Sequence, residues 1–140
     1  MDRSHRPRIV ARTVAAALLV GALLGTLLGA CAGTNAPTGT PAYTITRSWS
    51  NGYEEIGKIY PDGRTTMQHG SHEERLVVPV DQMAELAAAA ARGVTPGSNA
   101  DDPIVGVTIG DGATVRPAAL DGGSLAALLN LLLDSHTLHP

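Results

Sequence analysis

Among its 140 residues the chain carries one cysteine, Cys31, and five histidines. One thiol can form neither an intramolecular disulfide nor a cysteine-based zinc site. Four of the histidines pair by spacing, His69 with His72 and His136 with His139, and with Glu73 or Glu74 they could in principle surround a zinc ion. Their flanks are loop-like and the second pair closes the chain, where ends fray, so solvated histidines are expected, with no metal and no other cofactor. The carboxylate pairs Glu54-Glu55, Glu73-Glu74 and Asp101-Asp102 are adjacent in sequence. Neighbours on a strand point to opposite faces, which makes poor acid/base partners and reads as solvated surface. No serine sits in a nucleophile elbow, and there is no phosphate-binding loop or dinucleotide fingerprint. No catalytic residue is expected, and the chain reads as a non-enzyme.

Cys31 has a second possible chemistry. It ends the stretch "LLGTLLGAC", behind a leader with Arg3, Arg6, Arg8 and Arg12 and the uncharged run from Thr13 to Ala30. A basic start, an apolar run and small residues are the layout of a secretory signal, expected over residues 1–30. An uncleaved membrane anchor is the rival reading, since the run is near the lower length limit for a span. Leu28-Gly29-Ala30-Cys31 resembles the lipobox of bacterial lipoproteins: an aliphatic residue, two small ones, then cysteine. The resemblance implies cleavage before Cys31, a diacylglycerol on its thiol and acylation of the new N-terminus. Several acyl chains hold a membrane where one does not. The positive side stays in the cytoplasm, so the body is expected outside it, anchored to the cell membrane.

Residues 31–42, the cysteine and then "AGTNAPTGTPA", cannot bury a core and read as a flexible tether. The body, residues 43–140, holds six basic and twelve acidic residues. That balance repels nucleic acid phosphates, so no nucleic-acid partner is expected.

The elements that would position any binding residues follow from pattern. "YTITRSW" and "EEIGKIY" read as strands around Asn51-Gly52, a strong hairpin signal for a two-residue turn with both residues at positive φ. That turn would set Trp49 opposite Glu54, Ile45 opposite Lys58 and Tyr43 opposite Tyr60. One face would collect Tyr43, Ile45, Trp49, Ile56 and Tyr60, and the other Thr44, Thr46, Ser48 and Glu55. "PDGR" turns the chain into a third strand, "TTMQH", and "RLVV" is a short fourth segment. A helix from Asp81 to Gly93 would bury Met83, Leu86, Ala87 and Ala90. "IVGVTIG" and "ATVRP" flank Asp111-Gly112, a second hairpin signal. Ser124 would cap a last helix, "LAALLNLLLD", burying Leu125, Leu128, Leu129 and Leu132. Strands, helix, strands, helix predict an α+β fold: a small antiparallel sheet of about four to five strands with both helices on one face.

All four aromatic residues lie between Tyr43 and Tyr60. Tyr43 and Tyr60 suit a core or cross-strand role. Trp49 and Tyr53 flank the turn, and with Asn51 and Gly52 they form the candidate contact surface for a partner protein of the envelope or outside it. "ITRSWSNGY", "RLVVPVDQMAELAAAA" and "VGVTIGDGATVRP", followed by a Leu-rich helix, resemble the emfourin family, small inhibitors of protealysin-type metalloproteases. The resemblance implies a small α+β inhibitor module and carries over to the first hairpin tip alone. Ser50-Asn51-Gly52 stands where that family has a Gly-Gly turn, and the insertion from Pro61 to Glu74 adds a strand. Two functions therefore compete: a membrane-anchored binding module, and an accessory envelope lipoprotein without a discrete ligand. Metal handling is a third.

Overall fold

The computed structural model describes residues 36–98 and 101–136. Leu28, Gly29, Ala30, Cys31 and His139 lie outside the described residues. Five antiparallel strands form one sheet: β1 (Tyr43–Ser48), β2 (Glu54–Ile59), β3 (Arg64–His69), β4 (His72–Val77) and β5 (Ile104–Ile109). Two helices, α1 (Val80–Ala91) and α2 (Leu125–Asp134), complete the α+β fold. The sheet order is β4-β3-β2-β1-β5, so the first strand in sequence is an interior strand of the sheet.

Alternation explains the layers. Tyr43, Ile45 and Arg47 of β1 are buried, and Thr44, Thr46 and Ser48 between them are half-buried on the opposite face. Ile45, Ile59, Met67, Val105 and Val107 join Leu86, Leu125, Leu129 and Leu133 in one core, which places both helices on the same face. Gly57 makes room for the side chains of its two neighbouring strands: a Cβ there would meet Ile45 Cγ2 and Met67 Sδ at 3.0 Å.

The first hairpin departs from the expected register by one residue. Tyr43 faces Ile59, Ile45 faces Gly57, and Ser48 faces Glu54. The loop has three residues, Ser50 to Gly52, closed by Trp49 N–H to Tyr53 O (2.9 Å) and Gly52 N–H to Trp49 O (3.0 Å). Gly52 alone takes positive φ, at 85°, and Asn51 does not. A three-residue loop ending in a left-handed glycine replaces the expected two-residue turn. Because side chains alternate, the shift moves Glu55 and Ile59 to the core face and Ile56 to the other. The next hairpin repeats the device: Tyr60 N–H bonds Arg64 O at 2.8 Å, Gly63 N–H bonds Tyr60 O at 2.9 Å, and Gly63 has φ 81°. In both loops the middle side chain stabilises the turn. Asn51 Oδ1 accepts from Tyr53 N–H (2.9 Å) and Asp62 Oδ1 from Arg64 N–H (3.1 Å).

Other elements differ in extent. β4 spans six residues rather than a short "RLVV" segment. α1 buries Leu86 and Ala89, with Met83 and Ala90 partly covered; Ala87, expected inside, is exposed. Its N-cap is Pro79, with Asp81 in the first turn. α2 is capped as expected, Ser124 Oγ accepting from Ala127 N–H at 3.1 Å. It buries Leu125, Ala126, Ala127, Leu129 and Leu133, while Leu128 and Leu132 are only partly covered. Residues 113–117 are no strand; Val115 makes a single antiparallel bridge with Val107.

Candidate functional site

The hairpin tip is built from the ends of β1 and β2. Trp49 and Tyr53 close the loop mouth, with ring centroids 5.2 Å apart and planes tilted by 57°. Tilted pairs at this distance are favourable aromatic geometry. Tyr53 is 41% exposed and Trp49 is half-buried, so neither belongs to the core. Tyr53 also rests on Gly70 in the β3–β4 turn, where a Cβ would come within 3.2 Å of its ring. Asn51 and Gly52 are exposed at the apex. Ser50 is held from across the sheet: Asp102 accepts from its N–H (3.0 Å) and from its hydroxyl (2.7 Å). The four predicted contact residues are thus brought together on one solvent-facing loop with its conformation fixed from three sides.

Beneath the tip lies a charged network that the sequence reading missed. The Arg47 guanidinium sits over the Trp49 ring, Cζ 5.6 Å from its centroid. Arg47 Nε donates to Glu55 Oε2 at 2.7 Å, and Nη2 donates to the same oxygen. Arg47 Nη1 donates to Asp134 Oδ1 and, at 3.4 Å, to Asn130 Oδ1. Asn130 Nδ2 in turn donates to Asp134 Oδ2 at 3.1 Å. Glu55 Oε1 lies 3.2 Å from His69 Nδ1. Arg47 is 7% exposed and Glu55 4%, so both are nearly dry. The ion pair therefore clamps β1 to β2, and its Asp134 arm fastens the end of α2 to the sheet.

Two expectations are corrected here. Glu55 is not solvated surface; the one-residue register shift turns it inward against Arg47. His69 is not solvated either. Its side chain is 11% exposed and its Nε2 is buried without a hydrogen-bond partner among the described residues. His72 faces His69 across the β3–β4 ladder and is exposed. His136 Nδ1 lies 3.9 Å from Glu74 Oε1. Among the described residues no three His, Cys, Asp or Glu side chains group so as to hold a metal ion. The signal for Glu55 was weak but present: an arginine and a glutamate, each at a position of inward parity once the loop has three residues.

A shallow apolar groove of about 220 Å³ separates the outer sides of the helices, lined by Val78, Leu86, Leu128, Leu131 and Leu132 with Glu85 at its rim. No helix among the described residues is long and apolar enough to cross a membrane. No protein-family model, no curated protein and no solved structure matches the chain.

Proposed function

We propose that the chain is an exported lipoprotein, anchored to the cell membrane through Cys31, whose α+β domain is a non-enzymatic binding module that contacts a protein partner through Trp49, Asn51, Gly52 and Tyr53. The carrying observation is the pair of aromatic rings held at the solvent end of a braced hairpin, outside the core. Trp and Tyr are the residues most often found as interface anchors, and a loop fixed beforehand loses little freedom on binding. The likeness of the body to the emfourin pattern supports an inhibitor-like use of the same tip. The lipobox-like Leu28 to Cys31 behind a basic, apolar leader supports the anchor.

The second reading, an accessory lipoprotein with no discrete ligand, draws on Arg47 beneath Trp49: the ring also serves to cover the ion pair. One variant separates the two. Trp49→Ala should leave the melting point within a few degrees of the parent and abolish capture of envelope proteins by the full chain. If instead the chain unfolds, the ring is structural and the accessory reading stands. The anchor is tested by Cys31→Ser, which should lose all labelling by a clickable fatty acid and stall or release the precursor; equal label on both forms would refute it.

A further inference from the structure

The register sorts the ionisable residues of the sheet along the strands. Thr44, Lys58, Thr66 and Arg75 form one row across β1 to β4, and Arg64 lies beyond it opposite Val77. These three basic residues all sit toward the end where Tyr43 enters the sheet. The hairpin-tip end is acidic. Glu54 accepts from Ser48 at 3.4 Å, Asp102 holds Ser50, and Asp134 bonds Arg47. Arg47 is the one Lys or Arg of the strands at this end, and it is already paired with both Glu55 and Asp134. Glu54 and Asp102 are exposed at this end and bonded to neutral hydroxyls, so excess negative charge lies beside the loop that carries the Trp49 and Tyr53 rings.

Resting on the binding-module reading above, we propose that the tip takes a Lys- or Arg-bearing peptide segment of the partner protein. A long basic side chain suits both features at once. Its apolar stem lies along an aromatic ring while its cationic head stays wet beside carboxylate. A cation over the face of Trp or Tyr gains further attraction from the ring quadrupole. The acidic pole would also draw such a partner in by long-range attraction and repel an acidic one.

Trp49 is the only tryptophan of the chain, so its fluorescence reports on the tip directly. The full chain in nonionic detergent is titrated with an oligolysine peptide, an oligoglutamate peptide and tetramethylammonium. Oligolysine should shift Trp49 emission saturably, more weakly as salt is raised, and oligoglutamate should do nothing. The double variant Glu54→Gln/Asp102→Asn, which keeps both hydrogen-bonding shapes, should bind oligolysine about fivefold or more weakly. Asp62→Asn, at the far end of the sheet, should bind as the parent does. Absence of oligolysine binding, or equal binding by the double variant, overturns the basic partner. If Trp49→Ala still abolishes protein capture in that case, the tip remains the contact surface and only the partner chemistry is wrong. Tetramethylammonium binding as tight as oligolysine binding would assign the site to a quaternary ammonium ligand and overturn the peptide.

Discussion

Arg47 and Glu55 are mutually dependent, because each is a charge taken almost wholly out of water. Removing one partner of a buried pair leaves the other uncompensated, at a cost of about 3–5 kcal/mol, whereas replacing both with apolar groups of similar size is often close to neutral. Glu55→Gln is therefore expected to lower stability by about 3 kcal/mol, and Arg47→Met/Glu55→Leu by much less, in urea unfolding followed through Trp49 fluorescence. Additive losses would show that the pair acts as two independent residues. A second residue-scale outcome concerns Asp62. The Arg64 guanidinium donates to its carboxylate at 2.6 Å and holds it below the ordinary value of 3.8. A carboxyl lowered on folding favours the native state above that ordinary value and loses this contribution as pH falls through the lowered one. Carbon-detected NMR titration should show Asp62 moving back toward 3.8 in Arg64→Gln. Sequence pattern placed Trp49 and Tyr53 at the tip, but not the network below it. Glu54-Glu55 reads as two solvated acids until the register is known, and the register hangs on one loop residue.

At the scale of elements, the first hairpin shows how local chemistry outweighs a familiar dipeptide. Asn51-Gly52 signals a turn, and a turn is there. The chain instead gives Gly52 the left-handed position and uses Asn51 Oδ1 to bond Tyr53 N–H. Gly52→Val should cost about 1–3 kcal/mol, because a β-branched residue at φ 85° clashes with its own backbone. Asn51→Ala should cost about 1 kcal/mol or less, the value of one exposed turn bond. Similar large losses from both in thermal melts would restore the two-residue turn. Strand and helix identities were legible from alternation and from helical spacing. The inner faces of the helices were less so, since an alanine-rich helix such as α1 offers several nearly equal stripes, and tertiary packing buries Ala89 and leaves Ala87 exposed.

For the molecule as a whole, one core joins both helices to the sheet without metal ligands grouped among the described residues. Its melting temperature is expected to be unchanged by a strong chelator; a large drop would reveal a structural ion, whose binding would be part of the folding free energy. The α+β class was readable because strands and helices segregate in sequence, and that order leaves few other ways to cover one face of a sheet. The position of β1 has a mechanical consequence. The segment that precedes it enters the sheet at Tyr43, and the hairpin tip begins where β1 ends. β1 is bonded along its length to β2 on one side and β5 on the other. Under the proposed anchor and tip contact, tension between the two would be borne along this strand. Its covalent backbone carries that load directly, and the perpendicular ladder bonds hold it in line within the sheet. A strand at the sheet edge would be held in line by one neighbour instead of two.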